Sequence, residues 1–230
     1  MISFDQAYWY THQCPLRKLK LPVFPEQEAA INLRSILHSI IVKYFNKSIT
    51  DIKSEILDTL DFNAVATGIS KQVLARRIEQ AIINFEIWKV KLKDTTTIAT
   101  HIDTTVNNMK FNVDIARYKP YESRIQLIWF RYDTTMPSIP DLAKLVEKAQ
   151  WNARGFEISS KERPMQLTYF FPVLGTDYSI LYNPENGYDT VASLIADQVY
   201  YTRPGKICDI CNECPMTWAG YLGELNEQKD

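Results

Sequence analysis

The chain has 230 residues, 46% of them hydrophobic and 12% aromatic, which is enough to bury a substantial core near the upper size of one domain. With 26 Lys+Arg against 27 Asp+Glu the net charge is −1, so bulk charge makes no case for nucleic acid, although a local basic groove stays open. No run of about 18 uncharged apolar residues occurs, and "MISFDQAYWY" has neither a charged nor an apolar leader, so neither a membrane span nor a signal peptide is expected.

Only 7 glycines are present, which favours long regular elements. From Glu26 to Lys47, apolar residues recur at Ala30, Leu33, Leu37, Ile40, Ile41 and Tyr44, the spacing of a helix with one wide buried face. "DIKSEILDTL" reads as a second, shorter helix. "SKQVLARRIEQAIINFEIWKVKLK" reads as a third, with Ser70 as N-cap and Val73, Leu74, Ile78, Ile82 and Phe85 on one side. The β-branched run "TTTIATHIDTTV" then predicts a strand that turns at Asn107-Asn108. "MKFNVDIARY" and "RIQLIWFRY" follow as strands around "KPYES". Helical spacing returns after Pro140 in "DLAKLVEKAQWNARGFE". "MQLTYFFPV" and "DYSILY" form another strand pair around "LGT", and "DTVASLIADQVYY" is a short helix. The expected strands are 97–106, 109–118, 124–132, 165–173 and 177–182. The fold class is α/β, a mixed central sheet flanked by helices. One domain, 1–230, is expected, with a helical part at 26–93, a sheet core at 97–203 and cysteine-bearing segments at 1–25 and 204–218.

Three of the four cysteines, Cys208, Cys211 and Cys214, fall within seven residues near one end, and Cys14 lies near the other. Without a secretory leader the expected compartment is the reducing cytoplasm, or a virion or host cytoplasm for a phage-encoded chain, and in a reducing compartment clustered thiols read as metal ligands or redox groups rather than disulfides. Four thiolates suit tetrahedral zinc or a [4Fe–4S] cube. Zinc sites more often use two separated pairs, so the three-plus-one division favours iron–sulfur, with zinc as the alternative. The plain reading, three unrelated buried thiols, requires an unusual crowding. Either centre would tie the two ends of the chain together.

Several stretches carry a family resemblance. "ISFDQAYWYTHQCPLRKLKL" resembles the opening of the RecB/Cas4-like branch of the PD-(D/E)XK nucleases, a Ser, a short helix and a Cys-Pro. "SILHSIIVKYF" resembles its histidine helix and "VDIARY" the strand of its first catalytic aspartate. "QVYYTRPGKICDICNEC" resembles its terminal cysteine cluster. The resemblance covers most of the chain with the motifs in order. It implies a restriction-endonuclease-like core, His38 and Asp114 as divalent-metal ligands, and a [4Fe–4S] cluster on Cys14, Cys208, Cys211 and Cys214.

The sequence departs from that family where chemistry would need it most. The next strand should carry an acid, any residue, then Lys; here the triplet is Trp129-Phe130-Arg131. Cleavage by these enzymes needs a divalent ion held by two carboxylates and a lysine near the attacking water. Trp129 cannot ligate, and Arg131 stays protonated, which leaves it a phosphate-binding role. Asp103, Glu122 and Asp133 are the candidates for a displaced carboxylate. The family's Gln-x-x-x-Tyr helix is not reproduced: Gln150 is followed by Arg154, and Gln166 by Phe170. The gap before Cys214 is shorter than the family's usual one.

His38 and Asp114 each have a plainer reading, a partly buried helical histidine and an inward carboxylate in need of a partner. Together these readings imply a nuclease-fold protein whose metal site is degenerate. It would act as a DNA-binding or assembly module in DNA processing or in a viral or phage complex, by analogy only. Protein partners in a larger assembly are expected and no membrane is. The alternatives are an active exonuclease using Mg²⁺ or Mn²⁺, and a purely structural protein that keeps fold and cluster.

Overall fold

The computed structural model describes residues 1–12, 38, 41–42, 45, 71–133, 135–185 and 187–197. The expected helix at 51–60, most of that at 26–47, and all four cysteines lie outside the described residues; His38, Ile41 and Val42 are helical. The elements in chain order are α1 (Phe4–His12), α2 (Lys71–Val90), β1 (Thr96–Val106), β2 (Met109–Lys119) and β3 (Arg124–Phe130). Then come α3 (Ile139–Ser160), β4 (Pro164–Phe171), β5 (Thr176–Leu181) and α4 (Tyr188–Ala196). Among the described residues no helix is long and apolar enough to cross a membrane.

The chain divides into two compact units. The first holds residues 1–22, 105–110 and 187–230. Its helix α1 starts in a capping box: Gln6 N–H donates to Ser3 Oγ at 3.3 Å, while Ser3 N–H donates back to Gln6 Oε1 at 2.8 Å. Ile2 forms a parallel bridge with Met109, exchanging backbone bonds with Asn108 and Lys110 at 2.7 Å each. Helix α1 packs on α4.

The second unit, 23–104 and 111–186, holds most of a five-stranded sheet of order β1-β2-β3-β4-β5. The Asn107-Asn108 turn has φ 46 and 65, the left-handed pair that a two-residue hairpin loop demands and that Asn tolerates. β2 and β3 are antiparallel, β3 and β4 parallel, β4 and β5 antiparallel. The parallel pair needs a long crossover, which α3 supplies. The α/β mixed open sheet is therefore as the patterning implied, with strand ends shifted by a few residues. The largest shifts, two residues each, are at the ends of β3, which stops at Phe130 instead of 132, and of β4, which stops at Phe171 instead of 173.

Helices cover both faces. On one, Phe85, Trp88 and Leu92 pack with Ile41 and Phe45 against Ile115, Ile128, Phe130 and Phe170, all of them buried. Trp88 stacks flat on Phe170 with ring centroids 4.2 Å apart. Arg117 is buried here too: it closes the C-terminal turn of α2 by donating to the carbonyls of Leu92 and Thr95 at 3.2 and 2.7 Å, and its guanidinium covers the Phe45 ring. On the other face lies α3, capped at Ser138, whose Oγ accepts from Asp141 N–H at 3.4 Å. Its Asn152 Oδ1 accepts from Asn112 N–H at 3.1 Å, and the Leu145 carbonyl accepts from Tyr169 O–H at 3.0 Å.

Candidate functional site

Asp114 sits where β2 and β3 part. Their paired register runs from Lys119↔Arg124 to Ile115↔Ile128 and stops there. Two residues beyond Ile128, the Phe130 N–H turns to the side chain of Asp114 and donates to Oδ2 at 2.7 Å. A short carboxylate thus replaces a ladder partner, which explains how a charged residue stands mid-strand while only 8% exposed.

The other oxygen faces His38. Asp114 Oδ1 lies 3.3 Å from His38 Nε2. Burial pulls the imidazole pKa down, but the hydrogen bond to Asp114 and its charge together outweigh this, so the pKa rises above 6.5. The His38 ring meets Phe130 and Tyr132 edge-on at 6.4 and 6.2 Å. The Tyr132 hydroxyl is buried and has no hydrogen-bond partner among the described residues. Burial and the Asp114 charge raise its pKa well above 10.

The two sequence-singled residues of the histidine helix and the β2 strand therefore meet. The triplet after them is committed elsewhere. Trp129 is core: its Nε1–H donates to the Asn112 carbonyl at 2.8 Å and its ring lies 5.4 Å from that of Tyr169. Arg131 directs its fork at Asp133, with Nε to Oδ2 at 2.9 Å and Nη2 to Oδ1 at 3.1 Å. A phosphate at Arg131 would have to displace that carboxylate. Glu122 pairs with Arg124 at 3.4 Å on the β2–β3 turn, at the opposite end of those strands from Asp114. Gln150 clamps the end of β5, donating to the Leu181 carbonyl and accepting from Asn183 N–H, both at 2.9 Å. Gln166 accepts from Lys119 Nζ at 2.8 Å. Both glutamines thus have structural partners.

One residue escaped the sequence reading. His101, in β1, has φ 52, a left-handed backbone rare for a side chain other than Gly or Asn and unusual inside a strand. Its ring lies 6.5 Å from that of His38. The signal was in the sequence: Val106 and Met109 flank the hairpin turn, so five steps outward from each set His101 level with Asp114.

Among the described residues no three His, Cys, Asp or Glu side chains already surround one point closely enough to hold a metal. Mg²⁺ asks for an oxygen-rich octahedral shell and gives up water reluctantly. One carboxylate with both oxygens engaged does not meet that demand, so the implied Mg²⁺ or Mn²⁺ centre does not fit these residues. The cysteines suit a cluster by the chemistry of their donor set alone, four thiols that ionise to thiolates. No protein-family model matches the chain, and a search of curated proteins finds no match.

Proposed function

We propose that this is a nuclease-fold protein with an iron–sulfur cluster on Cys14, Cys208, Cys211 and Cys214 and a metal site that no longer cuts DNA. Its work would be to bind DNA or to hold a place in a DNA-processing or viral assembly. The observation that carries the reading is the His38–Asp114 contact of 3.3 Å at the parting of β2 and β3, with Trp129 buried in the core beside it. The helix and strand motifs of the nuclease resemblance converge, while the acid and the lysine that cleavage requires are replaced by Trp129 and Arg131.

Arg131 would serve DNA only by exchanging Asp133 for a phosphate, a carboxylate-for-phosphate swap that its planar fork accommodates. The test is twofold. Purified protein is incubated with single- and double-stranded DNA ends and Mg²⁺ or Mn²⁺, and DNA binding is measured across salt concentrations. The reading expects no degradation and a salt-dependent binding that Arg131→Ala weakens. Degradation that vanishes in Asp114→Ala would show an active exonuclease instead. Absence of binding at low salt would leave a structural protein.

A further inference from the structure

We propose that the end of the sheet opposite Asp114, built on the β2–β3 turn and the start of β4, is a docking surface for single-stranded nucleic acid. The inference stands apart from the nuclease-fold reading, because it uses neither the cysteines nor the cleft at Asp114. Five steps along β2 separate Lys119 from Asp114, about 17 Å of strand. All the residues concerned lie in the second unit.

The first ground is a row of like charges. Lys119 stands directly opposite Arg124 in the β2–β3 register. Ile125 pairs with Pro164, which sets Arg163 beside Arg124 across β3 and β4. Three cations thus occupy neighbouring positions on adjacent strands, with backbones about 4.8 Å apart. Like charges set directly opposite one another destabilise a sheet, so the row calls for an anion. The protein's own acids do not supply it. Arg124 meets Glu122 at 3.4 Å with both side chains about half exposed, a pair that contributes little. Lys119 Nζ donates to the neutral amide oxygen of Gln166. Arg163 is exposed and makes no ion pair among the described residues. Segments 119–124 and 161–163 together hold four cations and two acids, a net +2 on a chain of net −1. The overall charge makes no case for nucleic acid, but this end of the sheet does.

The second ground is aromatic. Tyr121 is 91% exposed on the same turn, and Tyr118, next to Lys119, is 38% exposed. The turn is closed by Glu122 N–H donating to the Lys119 carbonyl at 3.2 Å and Ser123 N–H donating to the Pro120 carbonyl at 3.4 Å. Tyr121 is therefore carried on a hydrogen-bonded frame. Cations interleaved with open rings suit a single strand: the cations follow its phosphates and an unstacked base lies on a ring. A duplex keeps its bases stacked inside and gains nothing from Tyr121.

The probe is a labelled oligothymidylate of about 12 nucleotides, with an oligouridylate and a duplex of equal length beside it. Binding to the full chain is followed by fluorescence anisotropy across salt concentrations, in the wild type and in Arg131→Ala, which reports the cleft. Single strands should bind more tightly than the duplex, and the tighter of the two names DNA or RNA as the source. In the Arg131→Ala background, log affinity should fall against log salt with a slope of about −2, the value for three phosphate contacts. Adding Arg163→Ala should flatten that slope by about 0.7. Tyr121→Ala should weaken binding about fivefold or more with the slope unchanged, while Tyr121→Phe keeps the affinity. Both side chains are exposed, so melting temperatures should hold. Duplex binding as tight as single-strand binding, displacement of the strand by polyglutamate, or full affinity in Tyr121→Ala would overturn the proposal. So would binding that responds to Arg131→Ala and to neither Arg163→Ala nor Tyr121→Ala, which would put the strand in the cleft. The reverse pattern would sustain this surface and leave the cleft without DNA.

Discussion

Asp114 serves two partners at once, and removing it tests both. Asp114→Ala leaves the Phe130 N–H buried without an acceptor and His38 without its anion. A loss of about 2–3 kcal/mol in denaturant unfolding is expected. Asp114→Asn keeps an oxygen for the N–H and should cost less. The pair also predicts a pH dependence of stability. His38 has its pKa raised by folding, so the stability it contributes is complete below 6.5 and is lost as pH rises through the raised value. Among the described residues, the groups facing it are Asp114, His101, Phe130 and Tyr132. The gap in melting temperature between the wild type and His38→Gln should therefore be widest at mildly acid pH and narrow above neutrality. A gap that widens with rising pH would contradict this assignment.

At the level of elements, helix α3 is pressed onto β2. A Cβ built on Gly155 would lie 2.5 Å from Cγ and Cδ1 of Phe111 and 2.8 Å from its Cβ. The Phe111 Cβ is fixed to the strand backbone, so the clash cannot be relieved by moving the ring tip alone. Gly155→Ala should cost about 1–3 kcal/mol in unfolding free energy despite its better helix propensity. The combination Gly155→Ala with Phe111→Ala should cost less than the sum of the two single changes, because the Cγ and Cδ1 atoms that the added methyl meets at 2.5 Å are then gone. A neutral Gly155→Ala would mean that α3 sits further from β2 than the structure shows.

For the molecule as a whole, the prediction concerns the cysteines. Protein purified without oxygen should be brown, and should carry close to four irons and four sulfides per chain. Stoichiometric zinc without iron would replace the cluster and keep the site; two disulfides would remove both. Cys14→Ser should lower the melting temperature of the entire chain and not merely bleach the colour. A link between residues nearly two hundred positions apart restricts the unfolded chain strongly. A bleached variant with an unchanged melt would refute the stabilising role while sparing the cluster itself.

The order of strands and helices was legible in the sequence because local signals are strong here. β-Branched runs mark β1, Asn107-Asn108 marks its turn, and helical spacing marks α2 and α3. His38 and Asp114 were legible only as separate candidates; the helix holding one and the strand holding the other reach 3.3 Å through the fold. The fate of the remaining candidates depended on partners distant in sequence or on geometry that no residue type announces. Trp129 could be read as a missing ligand, but its bond to the Asn112 carbonyl belongs to the core. Gln150 looked like part of a motif, and the β5 end claims it. His101 was passed over because a histidine in a polar strand is unremarkable until its backbone is seen in the left-handed region beside a second imidazole. Periodicity and turn chemistry are properties of neighbours along the chain, so sequence alone determined the elements. A site is a property of side chains brought together across the sheet, and only the tertiary structure decided it.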